Sequence, residues 1–91
     1  MKIIYKYSLQ IEDEQTIAMR KGARILTAQM QGTKLCLWAE CEEQEYPAET
    51  EQVRIEIHCT GHRFPDGPRQ YIATVQHGPM VLHVYRAGVT P

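Results

Sequence analysis

The chain has 91 residues, with ten basic side chains against eleven acidic ones, a formal charge of −1 and an apolar share of 43%. That length makes residues 1–91 one domain that hides only about 60 to 65% of its unfolded surface, so its core is thin and a homo-oligomer that completes it is expected. So even a charge balance excludes the electrostatic footprint of a protein that grips phosphate backbones, so no direct nucleic-acid binding is expected, and the composition excludes disorder over most of the chain.

No apolar run approaches the ~20 residues needed to cross a bilayer. The opening Met1-Lys2-Ile3-Ile4-Tyr5-Lys6-Tyr7 lacks the apolar segment and small-residue cleavage site of a secretory signal. A cytoplasmic protein with no membrane contact is expected. Cys36, Cys41 and Cys59 cannot all pair within the chain and form no CxxC, which fits a reducing compartment and cysteines acting as small apolar residues.

From Lys2 to Leu9 the pattern alternates, with Ile3, Tyr5, Tyr7 and Leu9 on one face, and predicts a half-buried strand. Glu12-Asp13-Glu14 ends it with a solvated turn. Glu14 to Met30 is rich in helix formers, and Asp13 is a possible cap, but Gly22 stands in the middle. Lys21-Gly22 therefore reads as a tight turn between strands at Thr16 to Met19 and Ala23 to Gln31, the second with Leu26, Ala28 and Met30 on one face. Gln31-Gly32-Thr33-Lys34 is a hairpin signal. It leads into Leu35 to Cys41, which has apolar groups on both sides and so is expected to be central or covered. Trp38 on this strand is expected to anchor the core, with a contact surface as the second reading.

Glu40 to Glu51 carries six glutamates around Tyr46-Pro47 and reads as a solvated acidic loop, with docking onto a basic host protein as the functional alternative. Gln52 to Cys59 is the clearest strand, with Val53, Ile55, Ile57 and Cys59 inward and Arg54, Glu56 and His58 outward. After the Gly- and Pro-dense passage Thr60 to Pro68 come strands at Tyr71 to Gln76 and Met80 to Arg86, joined by His77-Gly78-Pro79. Ala87 to Pro91 reads as a fraying tail. About seven short strands and no helix predict an all-β fold, a small antiparallel sandwich or barrel.

Several segments together resemble a family of small uncharacterised proteins of bacteriophage genomes and bacterial chromosomes, many of them prophage-borne. They are Ile4-Tyr5-Lys6-Tyr7, Asp13-Glu14-Gln15-Thr16, Lys21-Gly22-Ala23, Cys36-Leu37-Trp38-Ala39, Thr60-Gly61-His62 with Pro65-Asp66, Tyr71-Ile72-Ala73-Thr74 and His83-Val84-Tyr85. The likeness runs nearly end to end, although the acidic loop departs from it. Relatives tend to have proline where this chain has Arg20, in keeping with two strands there. The resemblance implies a compact phage-type accessory protein in a bacterial cytosol, and it brings no activity, cofactor or catalytic residue.

Chemistry is weighed residue by residue. His58, Cys59, His62 and His83 contain zinc-ligand types, but His58 and Cys59 point to opposite faces of one strand, whereas zinc ligands must converge at ~2.0 to 2.3 Å. An inward Cys59 is no exposed thiolate beside His62. Thr60, His62 and Asp66 hold the atoms of an acid-base relay without any spacing that brings them together, and Asp66-Gly67 reads as a turn. Thus no catalytic residue, metal or cofactor is expected. What remains is binding. His58, Thr60, His62, Arg63 and Asp66 supply donors, acceptors and a cation at the end of a sheet, suited to a small anionic ligand or a polar patch of a host protein, although each taken singly is an ordinary loop residue. The expected function is a non-enzymatic accessory protein that binds or sequesters a host component, such as one of antiviral defence. The alternative is an assembly protein joined into an oligomer through its sheet edges.

Overall fold

A computed structural model describes residues 1–90, with Pro91 outside the described residues. The alternating segments become seven strands: β1 (Lys2–Leu9), β2 (Glu14–Arg20), β3 (Arg24–Gln31), β4 (Lys34–Glu42), β5 (Thr50–Cys59), β6 (Arg69–His77) and β7 (Met80–Ala87). They form two sheets, a three-stranded one in the order β1-β4-β3 and a four-stranded one in the order β2-β5-β7-β6, with every pair antiparallel. The expected all-β sandwich is thus the fold, and neither sheet closes into a barrel.

Period-two burial decides which faces meet. Leu35, Leu37 and Ala39 of β4 pack against Val53, Ile55 and Ile57 of β5 and Leu82 and Val84 of β7 in one core. Tyr7, on the inward face of β1, ties the layers together, because its hydroxyl accepts the Arg20 N–H of β2 at 3.2 Å. The Lys21-Gly22 turn, with Gly22 at φ 76°, joins β2 to β3. Those strands lie in different sheets, so the turn is an arch between layers and not a hairpin. True hairpins close at Gly32-Thr33 and Gly78-Pro79, where Gln31 pairs with Lys34 and His77 with Met80.

Three expectations are corrected. The β3 register shifts between Ile25 and Thr27, so Ile25 faces the core with Ala28 and Met30, while Leu26 is 36% exposed. A bulge adds one residue and reverses every facing upstream of it. Trp38 lies outside the core cluster and is half-buried on the outer face of the three-stranded sheet, beside Lys6 and Thr27, because that face has no further layer over it. Third, the acidic loop shrinks to residues 43–49, since Glu40 and Glu42 belong to β4 and Glu51 to β5.

Four of its glutamates carry partners. Glu40 meets Arg24 at 3.2 Å and Lys2 at 3.5 Å, and Glu42 meets the N-terminal ammonium at 3.4 Å. Glu49 meets Lys21 and Glu51 meets Arg86, each at 3.4 Å. The hydrogen bond from Arg24 holds the Glu40 carboxyl below its ordinary range against the opposing effect of desolvation, with the Lys2 charge assisting. Such exposed pairs are screened by solvent, so they order the surface more than they stabilise the fold. At the other end, Ala87 is a buried β7 residue, and the Gly88 N–H donates to the Pro68 carbonyl at 3.0 Å. That end of the chain is anchored through Gly88.

Candidate binding cleft

Because Val53, Ile55 and Ile57 of β5 fill the core, Arg54, Glu56 and His58 must point from the opposite face. An outward glutamate is expected to lie in water, yet Glu56 is only 8% exposed. The cause is the passage 60–68, which folds back over this face. It leaves β5 through a turn in which Gly61 takes φ 86° and the His62 N–H donates to the Cys59 carbonyl at 3.1 Å. A Cβ at Gly61 meets nothing within 4 Å, so only backbone strain opposes a side chain there. Gly61→Ala is expected to lower stability by about 1 kcal/mol in denaturant titration.

Phe64 then lies flat on the His58 ring, centroids 3.8 Å apart and planes 6° from parallel, with Tyr85 of β7 at 6.0 Å. From the far side Arg69, at the start of β6, reaches across β7 to β5. It pairs on β7 with Ala87, whose small side chain leaves the guanidinium room to cross. Glu56 Oε1 accepts hydrogen bonds from Arg69 Nε and His58 Nε2, both at 2.8 Å, and the Arg69 guanidinium carbon sits 5.0 Å from the Phe64 ring centre. Strands β5 and β6 are thereby fastened at one carboxylate, and the loop rests on its two partners through Phe64.

Burial pushes the Glu56 carboxyl up, but the hydrogen bonds and charges of Arg69 and His58 outweigh it and leave the group below its ordinary value of 4.5. A depressed carboxylate stabilises the fold fully above its unfolded value and loses that contribution as pH falls through its folded value. Unfolding free energy is therefore expected to decline as pH drops below about 4.5. Glu56→Gln should flatten that decline in denaturant titrations repeated between pH 6 and pH 3.

Between the loop and the head of β2 lies a cleft of about 490 Å³, with Asp13 and Glu14 on one side, Arg63 and Phe64 on the other, and Arg54, Glu56 and His58 between. Its size is that of small-molecule sites. Of the residues expected to bind, His58, His62 and Arg63 line this cleft. Asp66 lines an adjoining hollow of about 240 Å³ with Gly67 and Pro68, which shares Arg54, Glu56 and Arg69 with the cleft. Thr60 turns towards β7 instead, so the five do not form a single site.

A family profile described as a domain of unknown function (DUF7352) matches residues 1–90. The chain belongs to this family. No curated protein and no solved structure matches it.

This DUF7352 chain also carries a polar row beside the cleft. Thr60 Oγ1 is 2.7 Å from His83 Nε2, His83 Nδ1 is 3.0 Å from Thr74 Oγ1, and Thr74 Oγ1 is 2.6 Å from the Tyr71 hydroxyl. The Thr60 hydroxyl therefore meets a histidine, but it is His83 and not His62. Cys59 is half-buried against the core while His58 points out to Glu56, so the two do face apart. Among the described residues no three His, Cys, Asp or Glu side chains converge as metal ligands, and no helix is long and apolar enough to cross a membrane.

Sequence alone does not single out Glu56, Arg69 or Phe64 as site residues of this DUF7352 chain, and it offers His83 only as a zinc-ligand type. One signal was present: Glu56 and His58 stand two apart on the outward face of a clear strand. Nothing local in the sequence pointed to Arg69, whose partner lies 13 positions away across another strand.

Proposed function

We propose that this chain is a non-enzymatic binding protein, an accessory protein of phage or prophage type, that occupies a host-side protein or small ligand through the cleft on its four-stranded sheet. The observation that carries this reading is the Glu56 cluster. A carboxylate, an imidazole and a guanidinium are held in fixed positions under an aromatic ring at the edge of an open cleft, so little ordering remains to be done when a partner arrives. Resemblance to small phage proteins suggests the host side, including antiviral defence, as the source of that partner. The test is capture from infected cells by the wild-type protein and by Phe64→Ala, with native mass spectrometry of what is retained. A host protein or small molecule held by the first and released by the second supports the reading, whereas identical yields from both count against the cleft.

A second reading has its own observation. Both sheets are open, leaving β1, β3, β2 and β6 as edge strands. Unpaired edges are templates for joining copies into an assembly. Native mass of the purified protein tests this directly, with a closed oligomer that splits on edge-strand proline substitution as its expected result.

A further inference from the structure

The charges around the cleft divide into those already matched and those left over. Arg69 and His58 are committed to Glu56, and Arg54 Nη2 lies 3.2 Å from Glu14 Oε1. Two opposite charges remain. Arg63 and Asp13 both line the cleft and both are exposed, and neither has an ion-pair partner within 4.0 Å among the described residues. Each is held by backbone at its own side. The Asp13 carbonyl accepts the Ile57 N–H at 3.1 Å, which fixes it beside β5, and Arg63 follows His62, whose N–H is tied to Cys59. Furthermore, the hydrogen bonds to Glu56 all fall on Oε1, and Arg54 Nη2 lies 3.9 Å from Oε2. One carboxylate oxygen is left without a hydrogen bond.

A pure anion gains little here. Charges act over about 8 Å at physiological ionic strength, so in a cleft of this size an anion drawn to Arg63 also feels Asp13. A ligand that carries both signs gains at both ends. We infer that the cleft takes a small zwitterion, an amino acid or short peptide, whose carboxylate meets Arg63 and whose ammonium meets Asp13. Glu56 Oε2 serves as a further acceptor for the ammonium. Phe64, 41% exposed, offers its open ring surface to the apolar part of the ligand. The inference rests on the cleft being the binding site.

The experiment is an amide NMR titration of the full chain with a pool of free L-amino acids and glycyl dipeptides. Parallel titrations use the same dipeptides N-acetylated, the same dipeptides as C-terminal amides, inorganic phosphate and adenosine monophosphate. Saturable shifts confined to residues 13–14 and 54–65 are expected with the zwitterions. Blocking either end should weaken binding at least tenfold, as should Arg63→Gln or Asp13→Asn, both exposed substitutions that leave the fold intact. N-acetylated dipeptides or phosphates that bind as tightly as the zwitterions overturn the inference while leaving the cleft as a site for anions. Absence of any shift from the zwitterion pool also overturns it, and if Phe64→Ala also leaves partner capture unchanged, the cleft reading fails with it.

Discussion

Glu56→Ala is expected to lower unfolding free energy by about 3 kcal/mol, because removing one partner of a buried ion pair leaves the other charged and unsatisfied. Arg69 is left in that position, its side chain 14% exposed, and His58, 12% exposed, loses its hydrogen-bond partner. The value stands at the low end of such losses because the cleft admits water. A domain of this size has roughly 5 to 10 kcal/mol in all, so the loss is a large fraction of the total. The urea midpoint should move down by roughly 2 M. Glu56→Gln keeps an oxygen to accept the same hydrogen bonds and is expected to lose about half as much. Equal effects from the two variants would show that the carboxylate is not what fastens the loop.

A second large effect separates two neighbours on one strand. Leu37, 0% exposed at the centre of β4, faces the core opposite Tyr7 and Ala28. Leu37→Ala should cost about 3 kcal/mol, the lost transfer energy plus a cavity that the surrounding sheets cannot close. Trp38→Ala is expected to cost only about 1 to 2 kcal/mol, below the ~3 to 5 of a buried tryptophan, because its ring lies on an outer sheet face outside the core and keeps part of its surface in solvent. Size alone would order the pair the other way. Thermal and urea unfolding of both variants check it, and a larger loss for Trp38→Ala would place that ring in the core after all.

How much was legible follows from the same physics. Strand positions and most facings could be read because burial imposes a period of two, as at Val53, Ile55 and Ile57, and this needs only neighbours in sequence. The facing of Leu26 could not, since a bulge is set by the partner strand and leaves no local mark. Trp38 was misplaced for a related reason: a two-layer sandwich leaves each sheet one outer face, and period two does not say which apolar face that is. At the candidate site, His58, His62 and Arg63 were visible because the chain is irregular there and polar. Glu56 and Arg69 were not, because their meeting requires β7 to lie between β5 and β6 and a small residue, Ala87, to let the arginine across. Nothing in the spacing gave Thr60 a partner, because its histidine comes from another strand; the pairing of Cys59 with Leu82 brings it to His83.

The loop folded over the sheet is what makes both the buried carboxylate and the cleft, and its sharpest mark is the contact of two rings six residues apart. Nuclear Overhauser spectra of the wild-type protein should show strong cross-peaks between the ring protons of His58 and Phe64, from centroids 3.8 Å apart, with weaker ones to Tyr85, and Glu56→Ala should diminish them. A folded wild-type protein whose His58 and Phe64 rings show no cross-peak would mean that the loop stands away from the sheet, and neither the carboxylate cluster nor the cleft would exist as described.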